Sequence, residues 1–172
     1  MDYTIKNVTK NDLKELQSIS RETFKQTFDP FTAPNDMAEF LEKAYADEKL
    51  LDEINNSHSR FFFLMVEDEV AGYLKINDED AQTEYVKPNA LEVERIYLRK
   101  KFQHKGLGLT LIKLAEEIAK KENRDYMWLG VYEKNFNAQK FYKHDGFERV
   151  SQHVYQVGDD PQIDFILAKK LN

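Results

Sequence analysis

Residues 103–108 read QHKGLG, and their types and spacing could hold an anion. They lie between a strand-like stretch, LEVERIYL (91–98), and a helix-like stretch, LTLIKLAEEIA (109–119). The first amides of a helix lack partners within it, and the helix dipole adds partial positive charge there. Glycines let the oxygens of an anion approach the backbone, and His104 and Lys105 could add side-chain donors. The loop therefore predicts either a phosphate cradle or a tight turn whose glycines only supply positive φ.

The spacing of Gly106 and Gly108 fits neither of two familiar nucleotide-binding loops. A Walker loop ends in Gly-Lys-Ser/Thr, whereas Gly108 is followed by Leu109 and Thr110. A dinucleotide fingerprint needs three glycines, at G-x-G-x-x-G, in an early strand–helix–strand unit. Only two glycines are present here, and the loop lies past the middle of the chain. Both interpretations are weak.

The strand before the loop changes phase. Leu91 and Val93 are apolar at odd positions, whereas Ile96 and Leu98 are apolar at even ones. Because a regular strand keeps a period of two, the shift of one residue predicts a β-bulge near Glu94–Arg95. A bulge splays the strand away from its neighbour and leaves backbone groups unpaired. Those groups could bind a ligand.

The order of elements around the loop predicts an α/β (α+β-like) fold in one domain over residues 1–172. An early strand and two helices precede a pair of antiparallel strands, and a strand–helix–strand crossover and a final hairpin follow. YMWLGV is a nearly continuous apolar run, which is typical of a strand buried on both faces. The predicted strands are 3–8, two within 60–76, 91–98, 126–131, 147–155 and 162–169; the helices are 11–27, 36–54 with a break near 46–47, 109–119 and 136–144.

Composition limits the class of protein and of partner. The 172 residues, 41% hydrophobic and 33% charged, suit one domain with a sizeable core. Without cysteine the chain has no disulfide, thiolate nucleophile or cysteine metal site. A formal net charge of −6 disfavours a nucleic-acid partner and favours a cationic small molecule. The lack of a leader pattern and of a long apolar run predicts a cytoplasmic protein with no membrane partner.

Two signatures give the loop a more specific interpretation. QHKGLG resembles the Q/R-x-x-G-x-G/A pyrophosphate loop of the GNAT superfamily, the acyl-CoA-dependent N-acyltransferases. Downstream, NFNAQKFYKHDGF (135–147) resembles the other signature of that superfamily, N-x-x-A-x-x-F-Y-x-x-x-G-F. Nearly the whole chain also resembles the PaiA-type spermine/spermidine acetyltransferases, through stretches such as TFKQTF, LEVERIY, WLGVYEKN and GDDPQIDFILAKKL.

The resemblance implies the GNAT fold, a mixed and mostly antiparallel twisted sheet with a central splayed strand and flanking helices. It also implies acetyl-CoA as cosubstrate, while the lack of metal-ligand spacing among the histidines predicts no metal. The pantetheine arm would pair with the backbone of the splayed strand, and the pyrophosphate would lie on amides of the loop. The implied cofactor-binding residues are Ile96, Tyr97, Leu98, Gln103, His104, Lys105, Gly106, Leu107, Gly108, Leu109, Asn135 and Asn137.

Acetyl transfer to an amine requires a free lone pair on nitrogen. An alkyl ammonium has a pKa near 10.4, so deprotonating it costs roughly 4–5 kcal/mol at pH 7. A carboxylate near the bulge could take that proton, directly or through ordered water. Glu92 and Glu94 are the candidates, and Glu94 is favoured because it abuts the irregularity. The alternative is that both are solvated strand residues.

The departing thiolate of CoA then needs a proton. A tyrosine hydroxyl, with a pKa of about 10, can donate one. Tyr142 matches the position of the general acid that the resemblance implies. The alternative is that its ring only packs between helix and strand, as Phe141 beside it would.

These residues leave the acceptor and one other class of function open. The leading hypothesis is N-acetylation of a primary amine, spermidine or spermine, by direct attack on the thioester. Another amine could serve instead, such as a protein α-amine, a lysine side chain or an aminoglycoside. A non-catalytic acyl-CoA-binding regulator on the same fold is the third hypothesis.

The acids of residues 36–53 could line the acceptor groove or only face solvent. The histidines lack metal-ligand spacing, and the chain could be a monomer or a homodimer.

Overall fold

Seven strands and five helices make up the computed structural model, which describes residues 1–172. The strands are β1 (Thr4–Asn7), β2 (Ser59–Val66), β3 (Glu69–Asn77), β4 (Ala90–Leu98), β5 (Tyr126–Tyr132), β6 (Glu148–Val157) and β7 (Asp160–Lys170). The helices are α1 (Leu13–Phe28), α2 (Pro34–Ala44), α3 (Asp47–Asn55), α4 (Leu107–Lys121) and α5 (Phe136–His144). The predicted break in the second helical stretch is present, because α2 ends before α3 begins.

All seven strands belong to one sheet in the order β1-β2-β3-β4-β5-β7-β6. Every neighbouring pair is antiparallel except β4 and β5, which are parallel and joined by the α4 crossover. The sheet confirms the mixed, mostly antiparallel fold that the sequence predicts. No helix combines the length and the apolar character that crossing a bilayer would require.

The predicted bulge lies in β4. Lys75 of β3 pairs with Arg95, and the next residue of β3, Ile76, pairs with Val93, so Glu94 is the extra residue. Leu91 and Val93 precede the bulge at odd positions, and Ile96 and Leu98 follow it at even ones. All four nevertheless pack in one core under α4. The change in the apolar alternation of the sequence therefore corresponds to a β-bulge in the structure. It also places the side chains of Glu94 and Arg95 together on the opposite face, where both line the same cavity.

Beyond the bulge, β4 parts from β5. The two strands pair only from Ala90 to Val93 on β4, and from Tyr126 to Leu129 on β5. β4 nevertheless continues to Leu98 along β3, and β5 continues to Tyr132 along β7. The end of β4 therefore keeps one partner strand instead of two. This is the splay that a bulged central strand predicts, and its free edge faces β5.

Two hydrophobic cores hold this splayed sheet between layers of helices. On one face α4 packs on the sheet through Leu111, Ile112 and Ala115, against strand residues such as Leu91 and Leu129. On the other face the early helices pack on the sheet through large residues: Leu16, Ile19, Phe24, Phe28, Met37, Tyr45 and Leu50. The strands add Phe61, Phe63, Tyr73 and Tyr132 to the same core, so this layer is rich in aromatic rings. The aromatic layer thus lies on the face that carries the bulged side chains.

A glycine on β3 sets how closely β4 can approach. A methyl group on Gly72 would lie 2.5 Å from the Tyr97 carbonyl oxygen and 2.5 Å from Leu98 Cδ2. Because a backbone atom cannot yield as a side chain does, we expect Gly72→Ala to lower the free energy of unfolding by about 1–3 kcal/mol. Chemical denaturation measures this change.

Gly108→Ala is the matched control, because it touches the same leucine. Its methyl group would lie 3.8 Å from Leu98 Cδ1, an ordinary van der Waals contact. Alanine also suits a helix better than glycine does by about 0.5–1 kcal/mol. Equal stabilities of the two variants would contradict the steric role of Gly72.

Candidate active site

The QHKGLG loop presents a run of free amides at the start of α4. From His104 to Leu109, no amide donates to a backbone carbonyl of the protein; Thr110 is the first that does, to the Gly106 oxygen at 3.2 Å. Positive φ at His104 (61°) and Gly106 (82°) turns successive amides into a concave arrangement, which is typical of anion sites. Gln103 ties the loop to β4 by donating from Nε2 to the Leu98 oxygen at 3.2 Å. The loop is thus both a turn that needs glycine and a set of unused donors.

The loop borders a cavity of about 460 Å³ at the mouth of the splay, called the outer cavity here. Four of the predicted cofactor residues line it, Gln103 and His104 from one side and Asn135 and Asn137 from the other. Asn135 also caps α5, because its Oδ1 accepts from the Ala138 amide at 3.2 Å. The two signatures of the sequence therefore meet across one opening.

The other predicted cofactor residues surround this opening without lining it. Lys105 is exposed, Leu107 is buried in the core, and Leu109 is at the exposed start of α4. Of the three splayed β4 positions, Tyr97 faces the aromatic layer, with its ring 5.9 Å from that of Tyr73. Ile96 and Leu98 pack instead against the core under α4. Their backbone groups, not their side chains, are what a ligand in the splay could use.

A second cavity, the central cavity, lies deeper between the parted strands and measures about 170 Å³. A third, the side groove, measures about 530 Å³ and runs between α2 and the end of β6. Tyr132 lines both the outer and the central cavity. Tyr45, Glu94, Arg95 and Tyr155 line both the central cavity and the side groove. Two ligands that enter from opposite sides could therefore meet in the central cavity.

Glu94 belongs to a buried charge quartet with Glu53, Lys75 and Arg95. Its carboxylate oxygens lie 2.7 Å from Lys75 Nζ and 3.0 Å from Arg95 Nη2, and Glu53 contacts the same two cations. Burial opposes ionisation of Glu94, but attraction to Arg95 and Lys75 outweighs it and lowers the pKa to about 2. A carboxylate held this firmly in its charged form is a weak base.

Glu92 lies on the same face and is buried to 3% exposure. It accepts hydrogen bonds from Asn77 Nδ2 at 2.9 Å and from the amide and hydroxyl of Thr83 at 2.8 and 2.5 Å. No cation contacts it, and burial raises its pKa above the ordinary value. Of the two glutamates, the contacts make Glu92 the better base, and the choice of catalytic base stays a prediction.

Tyr142 projects from α5 into the core under that helix, at 8% exposure. Its ring packs edge-on against Phe147, with centroids 5.6 Å apart. The hydroxyl donates no hydrogen bond within the protein and is not among the fully buried polar atoms. Burial, together with the charge of Asp145, raises the pKa of this tyrosine. Tyr142 does not line the central cavity, so its role as the acid stays a prediction.

Only some of the acidic side chains of residues 36–53 lie at the site. Glu39 lines the side groove, where it pairs with Lys43 at 2.8 Å. Asp47 instead pairs with Lys14 near the surface. Carboxylate oxygens of Asp36, Glu39 and Asp159 lie within 4.8 Å of one another. Exposed acidic groups of this kind are common without a bound ion, and the expectation of no metal stays a prediction.

Several lining residues of the central cavity were not singled out from the sequence. Gly130 is exposed in the middle of β5, whose neighbouring residues are buried, and Asp164 interrupts the apolar run of β7. His153, one of the histidines without metal-ligand spacing, also lines this cavity. A lone glycine or acid inside an apolar strand was the available signal. Which cavity the residue faces depends on the sheet order.

Parted strands, a cradle of free amides and a cavity between them define an α/β enzyme that brings two substrates together. The sequence matches the acetyltransferase (GNAT) family over residues 16–147, and the chain belongs to that family. It is an N-acetyltransferase.

Individual relatives agree with this over their full lengths. An uncharacterised N-acetyltransferase of Lactobacillus delbrueckii subsp. lactis is 52% identical, over 97% of this chain and 96% of the relative. The spermidine N(1)-acetyltransferase of Thermoplasma acidophilum is 28% identical, over 99% and 98%. The crystal structure of the PaiA N-acetyltransferase from Thermoplasma acidophilum in complex with coenzyme A superposes with a TM-score of 0.80 at 26% identity, covering 99% of each chain.

Proposed function

We propose that the chain transfers an acetyl group from acetyl-CoA to a primary amine of the polyamine class, spermidine or spermine. The free amides of residues 104–109 at the mouth of the splay are the observation that carries the donor. The diphosphate of the coenzyme would lie on them, stabilised by the start of α4. Coenzyme A in the crystal structure of the PaiA relative supports the same donor.

From that anchor the coenzyme would run inward along the free edge of β4. The pantetheine amides would pair with backbone groups of Ile96, Tyr97 and Leu98, which lack a strand partner on that side. Asn135 and Asn137 would hold the arm from the opposite wall of the outer cavity. This path brings the thioester to the central cavity. The side groove adjoins the same cavity from the other side.

The central cavity suits an ammonium group. Aromatic rings of Phe24, Tyr97, Trp128 and others form much of its wall, and three carboxylates face it, Glu92, Glu94 and Asp164. Aromatic faces and carboxylates both attract alkyl ammonium ions. A polyamine is further supported by the spermidine N(1)-acetyltransferase relative.

The side groove would hold the rest of the acceptor. Phe40, Tyr45 and Tyr155 offer apolar surface for a methylene chain. The charges along it are mixed, because Lys43 and Lys49 stand beside Glu39 and Glu94. Selection of a polyamine over other amines would therefore depend on the aromatic walls as much as on charge.

The chemistry follows from these positions. A carboxylate of the cavity takes a proton from the ammonium, and the freed nitrogen attacks the thioester carbonyl carbon. Of the two glutamates proposed from the sequence for this step, Glu92 is the better base. The carbon–sulfur bond breaks, and Tyr142 would protonate the departing thiolate. The second proton, which the nitrogen loses as the amide forms, would restore the tyrosine hydroxyl. Because acetyl-CoA is already activated, positioning of the two substrates supplies much of the rate.

Acetyl-CoA titration and a panel of amines test this proposal. We expect acetyl-CoA, but not ATP, to bind, and we expect free CoA to appear with spermidine and spermine. Release with a peptide α-amine, lysine or an aminoglycoside, but not with polyamines, would remove the proposed acceptor. Binding without release to any amine would favour the non-catalytic regulator. Failure of acetyl-CoA to bind would remove the donor.

A further inference from the structure

We propose that Asp164 takes the proton from the acceptor amine and that His153 and Glu84 carry it to the surface. This inference rests on the proposed function and assigns roles to three residues outside both sequence signatures. It replaces Glu92 as the immediate proton acceptor.

The three side chains form a chain that leads outward. Asp164 of β7 is paired in register with Tyr132 of β5, so both side chains lie on the cavity face of the sheet. Asp164 Oδ2 lies 3.4 Å from His153 Nε2, and His153 Nδ1 lies 2.6 Å from Glu84 Oε1. Side-chain exposure rises along the chain, from 16% to 29% to 36%. A proton that enters at Asp164 therefore has a path to solvent.

Of the three carboxylates that face the cavity, Asp164 also has the fewest polar partners. Glu94 is held by two cations, and Glu92 accepts three hydrogen bonds. The side chain of Asp164 has one charged partner, His153, which lies next to Oδ2, and Oδ1 accepts no hydrogen bond within the protein. A carboxylate with a free oxygen can accept a proton without first giving up a hydrogen bond.

Gly130 keeps Asp164 open to the cavity. A methyl group on this glycine would lie 3.5 Å from Asp164 Oδ2, in ordinary contact and without a clash. Glycine is therefore not required by packing at this position. Its lack of a side chain leaves space beside the carboxylate, where the amine could lie.

The proton balance closes without any further reactant. The ammonium gives its proton to a carboxylate oxygen of Asp164, and Asp164 gives it to Nε2 of a neutral His153. The Nδ1 proton of the same ring passes to Glu84 and then to water. Burial raises the pKa of Asp164, with His153 as the opposing influence, which makes this carboxylate a stronger base than usual. The other titratable groups that face the cavity are Glu92, Glu94, Arg95, Tyr45, Tyr97, Tyr132 and Tyr155.

The test compares kcat/KM for the amine between Asp164→Asn and Glu92→Gln across pH. We expect Asp164→Asn to lose about 10²–10⁴-fold near pH 7, and Glu92→Gln to lose less. The loss should shrink as pH approaches the amine pKa near 10.4, because a free amine needs no base. His153→Gln should show a smaller loss with the same pH trend. A purely structural role would not produce that trend.

Controls separate chemistry from folding. Asp125→Asn and His144→Gln change exposed residues outside the cavity and should leave the profile unchanged. Asp164→Glu, if it folds, should restore part of the rate. A loss that is equal at every pH, or a larger loss in Glu92→Gln than in Asp164→Asn, would overturn the proposal while leaving the acetyltransferase function intact. A wild type that binds acetyl-CoA but acetylates no amine would overturn both.

Discussion

A Glu94→Gln variant is expected to unfold about 3–5 kcal/mol more easily than the wild type at pH 7. Glutamine keeps the shape of the side chain but removes its charge. Lys75 and Arg95, whose side chains are 5% and 10% exposed, would then share a single acid, Glu53. An unbalanced cation in such a place costs far more than a surface charge. For a chain of this size the melting temperature should fall by about 6–20 °C.

The loss should depend on pH in one direction. The folded-state pKa of Glu94 is about 2, below its ordinary value of 4.5. Because the folded pKa is the lower one, ionised Glu94 contributes stability above about pH 4.5, and that contribution is lost as pH falls toward about 2. We therefore expect the gap between wild type and variant to be full at pH 7 and to narrow below about pH 4.5. Urea unfolding at several pH values measures the gap.

Glu69→Gln is the matched control for this prediction. Glu69 also pairs with a lysine, Lys101, at 2.7 Å, but the two side chains are 42% and 63% exposed. Exposed pairs contribute little, so we expect hardly any change in stability. A Glu94→Gln variant that behaves like this control would show that the charge of Glu94 does not stabilise the fold.

Much of the fold and the position of the coenzyme site could be predicted from the sequence, because both depend on local signals. The phase change between Val93 and Ile96 predicts the bulge, since side-chain alternation in a strand is set by neighbouring residues alone. The glycines of the QHKGLG loop predict the free amides for the same reason. The bulge and the free amides each lie within a few residues of the sequence pattern that predicts them.

The electrostatics of the site could not be predicted, because they depend on distant parts of the chain. Glu94 is a weak base only because Lys75 of β3 reaches it beside its neighbour Arg95. Asp164 faces the cavity only because β7 inserts between β5 and β6, so that it packs beside β5. The sequence carries no local signal for either contact. Residue type and spacing thus locate the bulge, while the sheet order decides which carboxylate is free to act.

Tyr142→Phe is expected to lower kcat by about 10²–10⁴-fold while leaving acetyl-CoA affinity nearly unchanged. Phenylalanine keeps the ring that packs on Phe141 and Phe147, so the fold should not change. The hydroxyl that it removes makes no hydrogen bond within the protein, so its loss leaves no partner unsatisfied. Burial keeps this tyrosine protonated well past neutral pH, because its pKa is raised. The raised pKa also makes the tyrosine a weaker acid, but a thiolate expelled into a buried site has its own pKa raised by the same effect, which offsets this.

Tyr126→Phe supplies the comparison, since it removes a hydroxyl from β5 at the end where β4 and β5 are still paired. We expect it to turn over at the wild-type rate. Single-turnover measurements with acetyl-CoA and spermidine would separate the chemical step from CoA release in all three proteins. If Tyr142→Phe also matches the wild type, the thiolate leaves without help from this residue, and the packing of Tyr142 under α5 is then its whole role. If the variant loses turnover and coenzyme affinity together, the hydroxyl acts in binding, and the acid must be sought among groups that line the central cavity.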